Sequence, residues 1–268
     1  MASMLRIGSE SSTLRGMSPR AFFNLEDEQW FRPTDWARGP WDPEACHAGP
    51  PSGLLARGLE RAVPDRQLVR LTVELMRPVP MSGVRVEVEV ERIGRASARA
   101  TAELRDAQGK CSARALGLFV TPRRLSDVPT RRVAVPDLDE AEPGAFPFRS
   151  AAHELPSFLD AVEVRYPPGE DTGPGPTTVW MKTPPLLSGE APSPFQSLCP
   201  LADCVNGFGR NGDVGDWRFL NLDLTIHVHR PPAGAWRGLR AWSQWEPSGT
   251  GVAGGELFDA EGLVGFAT

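Results

Sequence analysis

Paired cysteines, a basic excess and long apolar runs are all missing from this 268-residue sequence. Its four cysteines, Cys46, Cys111, Cys199 and Cys204, include no CxxC spacing, and the four histidines do not stand at zinc-ligand distances from them. No metal or redox cofactor is expected, and the cysteines read as reduced, small apolar groups. The formal net charge of -5 argues against nucleic acid as a partner, because such surfaces show a clustered basic excess. No stretch approaches the roughly 18 uninterrupted apolar residues of a membrane span. Residues Met1 to Ser18 also lack the apolar run of about 7–15 residues that marks a secretory signal. These absences point to a cytoplasmic protein whose residues 1–18 form a disordered arm. What is present, 40% hydrophobic and 24% charged residues, is the composition of an ordinary soluble fold. The length suits one large domain or two of common size, either able to bury a core unaided.

An internal repeat decides between these options. Leu71-Thr72-Val73-Glu74-Leu75-Met76-Arg77-Pro78 aligns with Leu224-Thr225-Ile226-His227-Val228-His229-Arg230-Pro231, 153 positions later. Glu103-Leu104-Arg105-Asp106-Ala107-Gln108-Gly109 aligns with Glu256-Leu257-Phe258-Asp259-Ala260-Glu261-Gly262 at the same offset. Two matches at one spacing, with strand and turn residues in the same roles, imply two fused copies of one unit.

The first copy has a readable local structure. Pro50 and Pro51 suit the first turn of a helix, where a missing N–H costs nothing. Leu54, Leu55, Leu59, Ala62 and Val63 follow at helical spacing until Pro64, predicting a helix over Pro51–Val63. Val84, Val86, Val88 and Val90 alternate with Arg85, Glu87, Glu89 and Glu91, a strand with one wet face. Ala96, Ala98, Ala100 and Ala102 alternate likewise, and small side chains on that strand would let the helix approach closely. Asp106 to Gly109 turns the chain, and Cys111 to Thr121 is a last strand. The second copy is expected to carry a helix over Leu201–Gly209. Phe22 to Arg32 would open the first copy; Ala161 to Tyr166 and Thr177 to Thr183 would open the second. The boundaries that follow are residues 19–122 for the first unit, 123–150 for a surface linker and 151–268 for the second unit.

Several motifs carry a family resemblance. They are Gly39-Pro40-Trp41-Asp42-Pro43, His47-Ala48-Gly49-Pro50-Pro51 with Leu54-Leu55-Ala56-Arg57, Leu201-Ala202-Asp203-Cys204-Val205-Asn206-Gly207, and Asn221-Leu222-Asp223-Leu224-Thr225 with His229-Arg230-Pro231. In this order the sequence resembles the acyl-CoA thioesterases of type II, in an actinobacterial-looking branch. The resemblance implies an α+β double hot-dog fold, in which two fused units each wrap an antiparallel sheet around one helix. It also implies hydrolysis of fatty acyl-CoA to free acid and CoA, with acyl-CoA as partner and a homo-oligomer left open. Relatives hold the attacking water with an Asp, with Thr, Ser or Asn, and with a Gln. Asp203 matches the Asp, Asn221 falls at the hydroxyl position, and Thr225 is an alternative donor four residues on. The Gln would fall one or two positions beyond Thr268. At the fixed offset Thr268 stands for Ala115, about six residues short of the first copy's last strand, so slow turnover is expected of this chain.

The residues support the same site independently. Thioester hydrolysis needs a positioned water, a group to take its proton and donors for the oxyanion. Asp203 at the start of the second helix would meet free N–H groups and a favourable dipole. If a strand begins at Asn221, then Asn221, Asp223 and Thr225 share one polar face. His47, Gly49, Asp223, Asn206 and Gly207 are the expected substrate-binding residues. Simpler roles compete: Asp203 as an N-cap, the strand residues as a solvated face, His47 as a capping or surface group, and Trp36, Trp41, Trp242 and Trp245 as core or interface. His227 and His229 continue the polar face without an expected catalytic role. Two rival functions remain: an acyl-thioester binding protein without catalysis, and an enoyl-thioester hydratase. The latter's Asp–His pair would have to be assembled from different copies, His47 and Asp203.

Overall fold

A computed structural model describes residues 20–27, 29–150, 152–170 and 172–268, so the expected arm at 1–18 lies outside the described residues. The first copy contributes β1 (Phe23–Leu25), β2 (Trp30–Pro33), α1 (Gly49–Ala62), β3 (Gln67–Leu75), β4 (Val84–Ile93), β5 (Ser97–Arg105) and β6 (Cys111–Val120). Then follow β7 (Glu142–Gly144), α2 (Phe158–Ala161), β8 (Glu163–Tyr166), β9 (Thr177–Lys182), α3 (Cys199–Ala202) and α4 (Val205–Phe208). The chain finishes with β10 (Asp223–Val228), β11 (Arg237–Trp245), β12 (Gly251–Asp259) and β13 (Gly262–Ala267). All the strands form one antiparallel sheet in the order β1-β2-β4-β5-β6-β3-β10-β13-β12-β11-β9-β8-β7.

That order reads nearly the same from both ends, and its centre lies at the β3–β10 pair. There Thr72 stands opposite Thr225, with Val73 opposite Leu224 and Leu71 opposite Ile226. The Thr225 hydroxyl lies 3.4 Å from that of Thr72, its own counterpart 153 residues away. A residue facing its repeat partner marks a pseudo-twofold axis, and the architecture is the double hot-dog fold. The opening pairs correspond too, β1 and β2 at one end matching β8 and β9 at the other.

The offset slips by one in the last strand. In the first copy five residues separate the paired Arg105 and Cys111, whereas four separate Phe258 and Leu263. Thr268 therefore exchanges both backbone hydrogen bonds with Thr225, at 2.7 and 3.0 Å, and takes the place of Leu116. The expected pairing with Ala115 is corrected by that shorter turn.

Helix α1 starts two residues earlier than predicted, with Pro in its first turn, and is buried from Gly49 through Arg57. It packs on β4, β5 and β6. Ala98, Ala100 and Ala102 are buried beneath it, as their size requires at a close helix–sheet approach. The second helix differs from expectation. It is interrupted, with α3 ending at Ala202 and α4 beginning at Val205, and Asp203 caps the C-terminal end of α3. Asp203 and Asn206 favour local side-chain bonding over a continuous helix, and Gly207 adds backbone freedom. The N–H of Asp203 is donated to the Cys199 carbonyl at 3.2 Å and that of Cys204 to Leu201 at 2.9 Å. These two amides are consequently spent on α3, and Asp203 stands at the junction, just before the Cys204 cap of α4, rather than at the start of one continuous helix.

Candidate active site

The loop preceding α1 is pinned at both ends. Arg38 bridges to Cys46, the Gly39 amide donates to the Ala45 carbonyl at 2.8 Å, and the His47 amide donates to Ala37 at 2.8 Å. His47 is thus delivered to the mouth of α1, where its ring stacks on Phe158 with 3.9 Å between centroids. Phe158 opens α2, whose first turn is fixed by a capping box between Ser157 and Asp160. From the other copy, the turn between α3 and α4 presents Asp203, which is almost wholly buried.

The two meet. One Asp203 carboxylate oxygen (Oδ2) lies 2.9 Å from His47 Nδ1, and the other (Oδ1) accepts a 2.7 Å hydrogen bond from the Asn221 amide. That amide also donates to the Asp203 carbonyl at 3.1 Å. Because a carboxylate only accepts, Asn221 must turn its NH2 toward Asp203 and its oxygen away. Asn206 meets that oxygen with its own NH2 at 2.6 Å, which leaves Asn206 a second N–H to give. The carboxylate also orients the histidine: Nδ1 faces it as donor, so in the neutral ring the lone pair is on Nε2. The Gly49 amide lies 3.3 Å from Nδ1 and is the weaker contact.

Beside this network opens a cavity of about 530 Å³, lined by both copies. Residues 39–43, 45–48 and 75–79 line it from one copy, and residues 203, 204, 206, 207 and 218–222 line it from the other. Its aromatic part is continuous: Trp41 meets Phe219 edge-on at 5.4 Å and Phe148 at 6.2 Å, and Phe146 meets Phe148 edge-on at 5.1 Å. An apolar, aromatic-walled cavity with a few convergent polar groups is the usual form of a small-molecule site.

Models of two domain families match the chain, the acyl-CoA thioesterase N-terminal domain over residues 37–120 and the acyl-CoA thioesterase C-terminal domain over residues 133–268. The chain belongs to the acyl-CoA thioesterase family. Family membership supports acyl-CoA thioesterase activity in general. Among solved structures, a presumed thioesterase of Novosphingobium aromaticivorans is similar at TM-score 0.71 and 20% identity, covering 92% of this chain and 96% of that one. The acyl-CoA thioesterase II TesB2 of Mycobacterium marinum is similar at TM-score 0.62 and 16% identity, with 91% and 92% covered. A hot-dog protein of Alicyclobacillus acidocaldarius gives 0.66 and 17%, with 90% and 91% covered. At these identities the likeness is one of fold. No curated protein matches the chain.

Against this thioesterase framework the expected site residues separate. Asp203, Asn221, Asn206, Gly207 and His47 all line the cavity. Gly49 lies behind it: a Cβ there would come within 2.8 Å of Pro200 Cα, so its smallness lets α1 meet α3. Asp223 and Thr225 are elsewhere. Leu224, Ile226 and Val228 are buried among the helices, so Asp223, Thr225 and His227 alternate onto the outer face of the sheet. Asn221 does not share their face because it precedes the strand, and the exposed Leu222 breaks the alternation.

Other lining residues escaped the sequence reading. Phe146 and Phe148 come from the segment assigned to a surface linker; the pairing of β7 with β8, the Tyr166 hydroxyl on the Ala145 carbonyl at 2.8 Å and the Ser150 hydroxyl on the Pro40 carbonyl at 2.7 Å bring that segment to the cavity. Cys204 Sγ lies 4.0 Å from His47 Nε2, yet its thiol is donated to the Pro200 carbonyl at 3.1 Å. Burial, reinforced by the charge of Asp203, pushes this thiol well above the ordinary cysteine range. Burial also pushes Cys46, another lining residue, up to about 12, with Arg38 opposing.

Proposed function

We propose that the cavity holds the acyl thioester of an acyl-CoA and that His47, oriented by Asp203, takes the proton from the water that attacks its carbonyl and returns it to the CoA sulfur as the C–S bond breaks. The observation that carries this reading is the 2.9 Å contact between His47 Nδ1 and Asp203 across the two copies. A neutral imidazole held at Nδ1 has its basic Nε2 free for proton transfer, and the buried carboxylate stabilises the imidazolium that forms. Asn221 fixes Asp203 at its other oxygen. Asn206 supplies its remaining N–H to the oxygen that becomes negative. Water is the nucleophile in this scheme, because a thiol held protonated by burial is a poor one and Cys204 is already bonded to a carbonyl. The aromatic wall receives the acyl group.

The same pair would serve an enoyl-thioester hydratase, and an inert site would describe a binding protein, so the products decide. Free thiol is expected from saturated acyl-CoA, which has no double bond to hydrate. Thiol release should fall about tenfold or more in Asn221→Ala, which frees one carboxylate oxygen. In Thr225→Val, altered on the outer face, it should stay within about twofold of the parent. A large loss in Thr225→Val with Asn221→Ala unaffected would move the water to the other face of the sheet and defeat the scheme.

A further inference from the structure

The repeat gives each copy an arginine at the same place, Arg77 before Pro78 and Arg230 before Pro231. Their fates differ. Arg230 closes onto the fully buried Asp259 with two hydrogen bonds, 2.7 and 2.5 Å, and also donates to the carbonyls of Leu263 and Gly262. In the first copy the residue corresponding to Asp259 is Asp106, which accepts from the amides of Gln108 and Lys110 in its own turn, each at 2.9 Å, and makes no ion pair with Arg77. Arg77 therefore loses the carboxylate that its counterpart has. It lines the cavity instead, exposed, with one hydrogen bond to the Cys111 carbonyl at 2.9 Å.

A second arginine comes to the same cavity from the other copy. Arg218 is exposed and donates to the Trp41 carbonyl at 2.9 Å. Among the described residues neither arginine takes part in an ion pair. The acids that line the cavity are otherwise engaged: Asp203 with His47, and Asp42 with the Glu44 amide at 2.9 Å. The apolar side chains of Met76, Leu220 and Leu222, all exposed, line the same cavity, Met76 next to Arg77 in sequence. Two cations without carboxylate partners beside exposed apolar side chains suit a ligand with an anionic head and an uncharged arm. Guanidinium groups bind phosphate oxygens through paired donors.

We propose that Arg77 and Arg218 bind phosphate groups of the molecule that carries the thioester, holding its arm in the cavity. The proposal rests on the reading of the cavity as a thioester site. The chemistry required is a phosphate ester, supplied by the nucleotide end of CoA or by the 4′-phosphate that CoA shares with the prosthetic arm of a carrier protein.

Calorimetric titration of the whole chain with CoA, 4′-phosphopantetheine and pantetheine tests it without any turnover. Wild type should bind CoA at least about tenfold more tightly than pantetheine. Arg77→Ala and Arg218→Ala should each weaken CoA binding by about tenfold, as expected for one charged hydrogen-bonding partner, and leave pantetheine binding unchanged. Arg77→Lys should recover part of the loss. If 4′-phosphopantetheine loses affinity as CoA does, the shared 4′-phosphate is the group held; if it behaves like pantetheine, the nucleotide phosphates are. Equal affinity of wild type for CoA and pantetheine, or CoA binding unchanged in both alanine variants, overturns the proposal. A chain that binds CoA through these arginines yet releases no thiol would defeat the catalytic reading and leave this one standing.

Discussion

Replacing His47 by alanine is expected to lower thiol release from acyl-CoA by roughly 10²–10⁴-fold, the usual contribution of a positioned acid–base group. The fold should survive. The ring is partly exposed; its removal costs the stacking contact with Phe158, worth about 0.5–1.5 kcal/mol for an aromatic pair, and one donor to Asp203, whose other oxygen stays held by Asn221. The loss should appear in kcat with little change in KM, because His47 acts on the water and the substrate's bulk contacts lie along the aromatic wall. A folded His47→Ala protein with turnover within about threefold of wild type would reduce the histidine to a partner of Asp203. Cys204 cannot replace it, since burial keeps its thiol protonated and leaves no thiolate to take a proton.

The largest effect on stability is expected at Asp259→Ala, far from the chemistry. Asp259 is fully buried and takes four hydrogen bonds, two from Arg230 and one each from the amides of Ala233 and Glu261. Burial works to raise its pKa, but those bonds and the Arg230 charge outweigh it, so the folded value lies below the ordinary 3.8. Breaking one side of a buried pair costs about 3–5 kcal/mol, and the lower end applies because Arg230 is partly exposed. For a chain of this size that is roughly 6–12 °C in Tm. A depressed carboxylate pKa contributes stability that is complete above the unfolded value and lost as pH falls through the folded one. Wild type and variant should therefore differ fully above about pH 3.8, and the difference should shrink as pH falls below it toward the still lower folded value. Melting curves at neutral pH that agree within about 2 °C would show the pair to be dispensable.

Much of this architecture was legible because it is repeated. The offset of 153 residues placed the central strands correctly, and the structure sets Thr72 against Thr225 at the axis. The alanine alternation in β5 announced a close helix, since only small side chains fit there. The interruption between α3 and α4 was less visible, because a Pro-Leu-Ala start reads as a helix and the bonding habits of Asp203 and Asn206 decide only in context. A one-residue difference in a hairpin shifted the register of β13, and two aligned segments cannot report that. The site was half legible. Asp203, Asn206 and Asn221 stood in recognisable motifs, but their partner His47 is 156 positions from Asp203 and belongs to the other copy. No local pattern couples residues that far apart; the pseudo-symmetric folding of the two copies does. Phe146 and Phe148 were lost for a different reason, since a proline-rich segment has no periodicity to reveal that two of its side chains turn inward.

The most direct test of the central claim is thiol release from a series of acyl-CoA thioesters by the wild-type chain and by Asp203→Asn, with folding of both checked by melting. Asparagine keeps the shape of the side chain but removes the charge that holds the Nδ1 proton and stabilises the imidazolium. Wild type is expected to release thiol well above the uncatalysed rate, and Asp203→Asn to do so at least about 10²-fold more slowly with KM nearly unchanged. Equal rates in the two folded proteins would contradict a site built on His47 and Asp203.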